Sequence, residues 1–455
     1  MASTYLSRTP ASAGNRRTFT YSTWLKLSTA SVTQTFISAG SSGTSYFQIY
    51  IGSTGRIGIN DYDAGGDFYN ISWSSPGSYV FRDASAWYHF VMAVDTTQAS
   101  ASNRIKFYIN GEDITSNLTQ NTTPAQNTEL NINNTTVHRI GQNHQGSTYW
   151  DGSMAHIHFI DGIQYQASDF GETDATTGIW KPKTAPSVTY GTNGFFLKFE
   201  NSGSMGTDSS GNGNNFSVNG NLTQTIDTPS NVFATLNPLD IDTALTYTFG
   251  KGNTDVTIAD SGGEGMAKGT LGVSSGKYYW ECKLVSSSVH GRFGVVSTAT
   301  APTGNPGEFG IAWQMNDATM QLVNSPVSGS WGSNPSNNDI LMYALDCDNQ
   351  AFYFGVNGTW RNSGDPTSGA SKTGGVDYSG QSTLTSDYLT IGFGGNFFSG
   401  GGTQQGQYNF GNGYFGTTAV SSAENPDDGI GVFEYAVPTG YKALCTKSIN
   451  AQEYS

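Results

Sequence analysis

Twice in this chain an alternating apolar segment runs straight into Asn-Gly: RIKFYINGE at 104–112 and AFYFGVNGTW at 351–360. Asn-Gly is the strongest short hairpin signal, because a two-residue turn that matches strand twist needs positive φ at both central positions. Strand alternation puts Ile105, Phe107 and Ile109 on one face and Lys106 and Tyr108 on the other. In the second segment Phe352, Phe354 and Val356 share the inner face. Each half of the chain is thereby committed to a long hairpin with one buried side.

Other segments follow the same rule. FTYSTWLKL puts Phe19, Tyr21, Leu25 and Leu27 in one phase, with Ser22 and Lys26 in the other. WYHFVMAVD (87–95) is nearly continuously apolar, as expected of a strand covered on both faces. GKYYWECKL sets Tyr278, Trp280, Cys282 and Leu284 against Tyr279, Glu281 and Lys283. MAHIHFIDG, FFLKFE, YLTIGFGGNFF and the pair of strands in 338–358 complete the pattern, and helix signals reduce to one turn near Ala167-Ser168-Asp169. The composition fits many strands and tight turns: 58 of the 455 residues are glycine, and aromatics reach 13%. The expected fold class is all-β, two β-sandwich domains in tandem. The Gly/Asn-rich stretch 210–222 and the prolines Pro229 and Pro238 place the join between residues 1–232 and 233–455.

A formal charge of −14 without a basic stripe argues against nucleic-acid binding. No stretch approaches the ~18 apolar residues of a membrane span, and the first residues lack a signal-peptide apolar run. Cys282, Cys347 and Cys445 form neither a disulfide framework nor a zinc spacing, and are expected as buried thiols in a chain folded in a reducing compartment.

Several motifs carry chemistry only on paper. Gly411-Asn-Gly413-Tyr-Phe-Gly416 spells a dinucleotide fingerprint without the helix it needs, and Asp169-Phe170-Gly171 lacks the other kinase motifs. A retaining glycanase needs two carboxylates about 5 Å apart. The nearest approach is Glu172-Thr-Asp174, with no second acid beyond it. No enzymatic activity is expected. His156 and His158 are expected side by side on a strand, facing solvent, with His138 and His144 near in sequence. Asp61, Asp63 and Asp67 could hold calcium through loop oxygens or simply line a surface turn; no other cofactor is expected. Aromatics among turn residues are the candidate glycan- or partner-binding platforms: Tyr62, Trp73, Tyr149, Trp150, Trp313, Trp331 and Trp360. The alternative for each is packing within the sandwich or between subunits.

The second half resembles the SPRY fold, through GKYYWECKL, RFGVV (292–296), the 338–358 hairpin and YNFG (408–411). The first half resembles laminin-G/concanavalin-type jelly rolls, through TFTYSTWLKL, WYHFVMAVD, RIKFYINGE and YWDGSMAHIHFIDG. Across the chain, YLSRTPASAGNRRTFTYSTWLK, YGTNGFFLKFENSGSMGTDSSGNGNNFSVNG, FATLNP and PTGYKALC resemble structural proteins of tailed bacteriophages. That resemblance implies a virion component made in the host cytoplasm, such as a tail fibre or surface appendage. It would form a homo-oligomer, as a trimer, with other virion proteins as partners; the resemblance itself implies no ligand, and a host-surface glycan is the partner that the exposed aromatic positions suggest. A purely architectural capsid or tail decoration, or a polysaccharide-degrading tailspike, are the alternatives.

Overall fold

The structure, a computed structural model, describes residues 4–29, 32–64, 66–71, 80–259, 262–288, 290–397 and 402–453. The chain divides into two compact units, Met1–Gln224 and Thr225–Ser455. Both are built of stacked sheets that are antiparallel but for one short parallel pair in the second unit, so the fold is all-β with sandwiches in tandem.

The strands of the first unit are β1 (Tyr5–Arg8), β2 (Thr18–Leu27), β3 (Gln34–Ser42), β4 (Ser45–Ile51), β5 (Ile57–Asp63), β6 (Gly66–Ile71), β7 (Tyr88–Asp95) and β8 (Ile105–Ile109). They continue with β9 (Glu112–Asp113), β10 (Gln120–Thr122), β11 (His138–Ile140), β12 (Gly152–Asp161), β13 (Gly171–Thr173), β14 (Trp180–Pro182), β15 (Phe195–Leu197) and β16 (Ser217–Asn219). An eight-stranded sheet runs β10-β6-β5-β4-β3-β11-β1-β16, and a six-stranded sheet runs β15-β12-β2-β7-β8-β9. Phe19, Tyr21, Leu25, Phe90, Met92, Phe107 and Ile109 from one sheet meet Ile37, Phe47, Ile49, Ile57 and Ile59 from the other. The alternation read from the sequence therefore points inward as expected. The one expected helical turn is present as α1 (Ala167–Phe170).

In the second unit a seven-stranded sheet faces a nine-stranded one. The strand Lys277–Ser286 supplies Tyr278, Trp280, Cys282 and Leu284 to their shared core, and the hairpin Ile340–Asp346/Ala351–Val356 supplies Leu341, Tyr343, Phe352 and Phe354. All three cysteines are buried and free. A helix at Thr446–Glu453 was not foreseen; it is polar and carries no apolar stripe in the sequence.

The two Asn-Gly turns are built identically. Asn110 and Gly111 have φ of 49° and 89°, Asn357 and Gly358 of 49° and 78°. The Asn110 N–H donates to the carbonyl of His89 at 2.9 Å, and the His89 N–H returns a bond to Asn110 Oδ1 at 2.8 Å. Asn357 does the same with Ile340, at 2.9 and 2.8 Å. Asparagine therefore adds one ladder rung beyond the last paired residue, through its side chain, while tolerating the left-handed backbone.

Candidate functional site

The two sheets of the first unit treat their outer faces differently. Over the six-stranded sheet lies the segment 163–190, which carries α1 and the β13–β14 hairpin. Thr20 stitches it down: its hydroxyl donates to the Ile163 carbonyl and accepts from the Tyr165 N–H, both at 2.8 Å. Beneath it Val91, Ile160, Ala167 and Phe170 form a second apolar cluster. Trp180 reaches across the hairpin because residue 171 is glycine; a Cβ there would sit 2.4 Å from the indole ring.

His158 lies under this cover, 1% exposed, its ring 3.9 Å from that of Phe196 and its Nδ1 2.9 Å from the Tyr190 hydroxyl. His156 adopts φ 46° at a bulge where β12 slips against β2. Both imidazoles contact Phe196, so they do share a side. The expectation of solvent-facing histidines is corrected for a plain reason: the face is a second core. His89, also buried, accepts from the Trp180 indole at Nδ1 (3.1 Å), which leaves the proton on Nε2 to be donated to Ser22 Oγ (2.8 Å). Ser22 is the acceptor and is fully buried, the reverse of what an activated nucleophile needs. Burial pulls the His89 imidazole down to about 3 and holds His158 well below its usual range.

The eight-stranded sheet presents polar side chains outward. β4 alternates Phe47, Ile49 and Ile51 inward with Tyr46, Gln48 and Tyr50 outward, and β5 alternates Ile57 and Ile59 inward with Gly58, Asn60 and Tyr62 outward. The register aligns Gln48 with Asn60 and Asn60 with Asn70. Asn121 on β10 joins the row by donating to Asn70 Oδ1 at 2.9 Å, and Gln48 Nε2 donates to Asn60 Oδ1 at 3.2 Å. Four amides thus stand on four adjacent strands. Aromatic rings flank them on both sides. Tyr46 and Tyr62 stack at 5.6 Å along one edge of the row. Along the other, Tyr50 lies over Gly58, where a Cβ would come within 2.4 Å of the ring.

The loop 141–150 bounds this array. Ser38 donates to the Gln142 carbonyl at 2.8 Å, Thr35 meets Thr148 at 3.1 Å, and His144 stacks on Tyr46 at 3.8 Å with planes 6° apart. The loop therefore lies along β3. Asn143 holds its shape by accepting the Ser147 and Thr148 N–H groups. Neither ring nitrogen of His144 has a hydrogen-bond partner, and desolvation followed by the charge of Arg139 lowers its imidazole to about 4.

Of the sequence-predicted aromatics, Tyr62 belongs to this array, on a strand rather than a loop. Tyr149 and Trp150 end the loop that bounds it. Tyr149 is half-buried near Tyr5 with its hydroxyl on the Gly146 carbonyl, and Trp150 packs edge-on against Phe36. Trp73 lies outside the described residues. Two of the second-unit tryptophans are corrected. Trp313 is fully buried, stacked on Phe354 at 5.4 Å, and Trp331 is 4% exposed with its indole on the Val327 carbonyl. Both fill the sandwich core and offer no free ring face. Trp360 is half-buried against Tyr279. There the chain 430–445 covers the outer face of the nine-stranded sheet, pinned by Glu281. The Glu281 carboxylate accepts from the Tyr279 hydroxyl and from the Glu434 and Tyr435 N–H groups, all at 2.9 Å. Burial outweighs these donors and pushes it up to about 7.

The three aspartates do not converge. Asp61 turns inward and accepts from the Asn131 N–H and side-chain amide at 2.7 and 2.8 Å, while Asp67 is exposed on β6. Burial pushes Asp61 up to about 7. Among the described residues no three His, Cys, Asp or Glu side chains are grouped to hold a metal ion.

Residues 2–167 match a laminin-G family model described as the concanavalin A-like lectin/glucanases superfamily. The match covers most of the first unit and includes both the amide row and the loop along β3. Its description points, coarsely, toward carbohydrate binding. Among solved structures, the SPRY domain of human HERC1 is 14% identical, with a TM-score of 0.27 over 38% of this chain and 96% of that domain. A heptameric SAP-like pentraxin from Limulus polyphemus is 17% identical, with a TM-score of 0.26 over 36% of this chain and 71% of its own. Another human SPRY domain is 13% identical, with a TM-score of 0.25 over 37% of this chain and 95% of that one. No curated protein matches the sequence.

Proposed function

We propose that the chain is a non-enzymatic carbohydrate-binding protein on the surface of a tailed-bacteriophage particle, and that sugar lies on the amide row of the first unit. The carrying observation is that row: Gln48, Asn60 and Asn70 in register, extended by Asn121, which reaches Asn70 by a side-chain hydrogen bond from a bulge in β10, and flanked by Tyr46, Tyr62 and Tyr50. A pyranose offers hydroxyls that both donate and accept, and a carboxamide has both functions in one planar group. Tyrosine faces supply the apolar contact for ring C–H groups. Building the site on strands fixes it without ordering a loop on binding.

The particle assignment is supported by the phage-like segments in the sequence. A non-catalytic role is supported by the carboxylates nearest to a glycanase pattern. Asp174 is tied to Lys181 at 2.8 Å and caps its own turn, and Glu172 faces the same lysine at 3.9 Å. On this reading the chain assembles with copies of itself, as a trimer, and with other virion proteins.

The test is a glycan array of bacterial surface polysaccharides probed with the full chain and with the Asn60→Ala and Gln48→Ala variants. Selective binding lost in both variants supports the reading. Absence of binding on all arrays favours the architectural role, and release of shorter fragments from any bound polymer establishes an enzyme instead. Sedimentation equilibrium of the same sample checks the trimer.

A further inference from the structure

Among the described residues the amide row is open on one side and closed on the other, and that asymmetry selects a kind of ligand. Counting outward from β3, the four amides stand on β4, β5, β6 and β10, and β10 is the sheet's edge strand. Neighbouring strands lie about 4.8 Å apart, so the row extends roughly 14 Å. Each step is close to the length of one pyranose in an extended chain. Beyond Gln48 the next residue in register is Ser38 on β3, and it is fully buried. The loop 141–150 lies over it, held to β3 at Thr35 and Ser38 and to β4 through His144 on Tyr46. That loop is internally braced by Asn143, so it acts as a fixed wall and not as a flap.

We infer that the row recognises the end of a linear polysaccharide, with the terminal sugar at Gln48 against the 141–150 wall and the chain leaving across Asn60, Asn70 and Asn121 over the β10 edge. This rests on the carbohydrate reading above and adds the ligand's direction and length to it. A sugar inside a long chain has neighbours on both sides. One of them would have to occupy the volume held by Gln142 and His144. A terminal unit has only one neighbour, and the edge strand leaves it an exit. His144 is 6% exposed with both ring nitrogens unpartnered, so a polar group stands buried in the wall where the terminal unit arrives.

The test takes a bacterial surface polysaccharide that the full chain binds on the array, and degrades it to a series of defined mean lengths at constant total mass. Calorimetric titration then counts protein bound per gram and gives the affinity per site. End recognition predicts that capacity per gram rises in inverse proportion to chain length, while affinity per site stays constant down to about four sugars. It falls tenfold or more for the monosaccharide. Asn121→Ala should weaken a tetrasaccharide about fivefold and leave a disaccharide unchanged. Capacity per gram that does not change with length overturns end recognition and leaves carbohydrate binding standing. A monosaccharide bound as tightly as the tetramer overturns the extended row. If no polysaccharide on the array binds, the carbohydrate reading and this inference fall together.

Discussion

The two outer faces of the first unit are made from the same alternation and end in opposite conditions. On the six-stranded sheet the outward positions include Trp24, His89, Val91, His158 and Ile160 beside Thr20 and Ser22, and the chain lays 163–190 over the apolar cluster that Val91 and Ile160 begin. On the eight-stranded sheet the outward positions are Gln48, Asn60, Asn70 and three half-hidden or buried tyrosines, and they form no apolar cluster. What an outward residue offers decides whether a strand face becomes a second core or a surface for something else. The second unit repeats the lesson at Tyr279, Met342 and Tyr353, which gather the segment 430–445.

The sharpest way to break this contrast is to damage the covered face alone. Phe170 is 1% exposed and anchors the cover. Phe170→Ala should destabilise the first unit by about 3 kcal/mol, the usual cost of truncating a buried phenylalanine. Urea denaturation reads that loss, and glycan affinity of the folded fraction should stay unchanged. A parallel loss of affinity would show that the two faces are one mechanical unit. Asn60→Ala makes the converse cut. Removing one amide should lower glycan affinity about fivefold to tenfold, roughly 1 kcal/mol, while unfolding moves by less than 0.5 kcal/mol.

Acid should separate the two units. A free imidazole titrates near 6.5, whereas His89 and His138 are pulled by burial to about 3 and about 4. The unfolded chain therefore takes up protons first as pH falls. The stability these neutral rings contribute is complete above about pH 6.5 and is lost toward pH 4. Glu281 runs the other way. Its folded value near 7 lies above the unfolded one, so its contribution is complete in acid and lost as pH rises through 7. Asp61, also raised to about 7, partly offsets the histidines in the first unit. Calorimetric scans between pH 7 and 4.5 should show the first unit's transition falling while the second unit's rises or holds. The smallest effect expected is at the wall. His144→Phe keeps the stacked ring and removes two unpartnered nitrogens, so the melting temperature should stay level or rise by a degree or two.

Much of this fold was legible in the sequence because period-2 alternation and Asn-Gly turns are local signals. Phe352, Phe354 and Val356 point inward as read. Trp313 was misplaced because it was read as a turn residue. Trp313 stands in phase with Ile311 and Met315, and that alternation marks a core strand despite the turn residues nearby. The buried histidines were misplaced because a strand pattern does not reveal what later chain will cover it. The amide row was harder still. Each member is one unremarkable polar position in its own strand, and only the exact register of β4, β5 and β6, with the hydrogen bond that brings in Asn121 from β10, turns four of them into a line. Glu281 drew no attention because three of its four donors, the Asn409 amide and the Glu434 and Tyr435 N–H groups, come from far along the chain, and only the Tyr279 hydroxyl is local.

The paired asparagine turns also set how the molecule ages. An asparagine followed by glycine is chemically fragile, because the glycine nitrogen can attack the side-chain carbon and close a succinimide ring. In both hairpins the carboxamide oxygen is already held by a neighbouring strand's N–H, which keeps that carbon turned away. Spontaneous deamidation at Asn110 or Asn357 must then wait for the hairpin end to come apart, so the slow gain of one mass unit at each site is a built-in timer of how often each sandwich opens there.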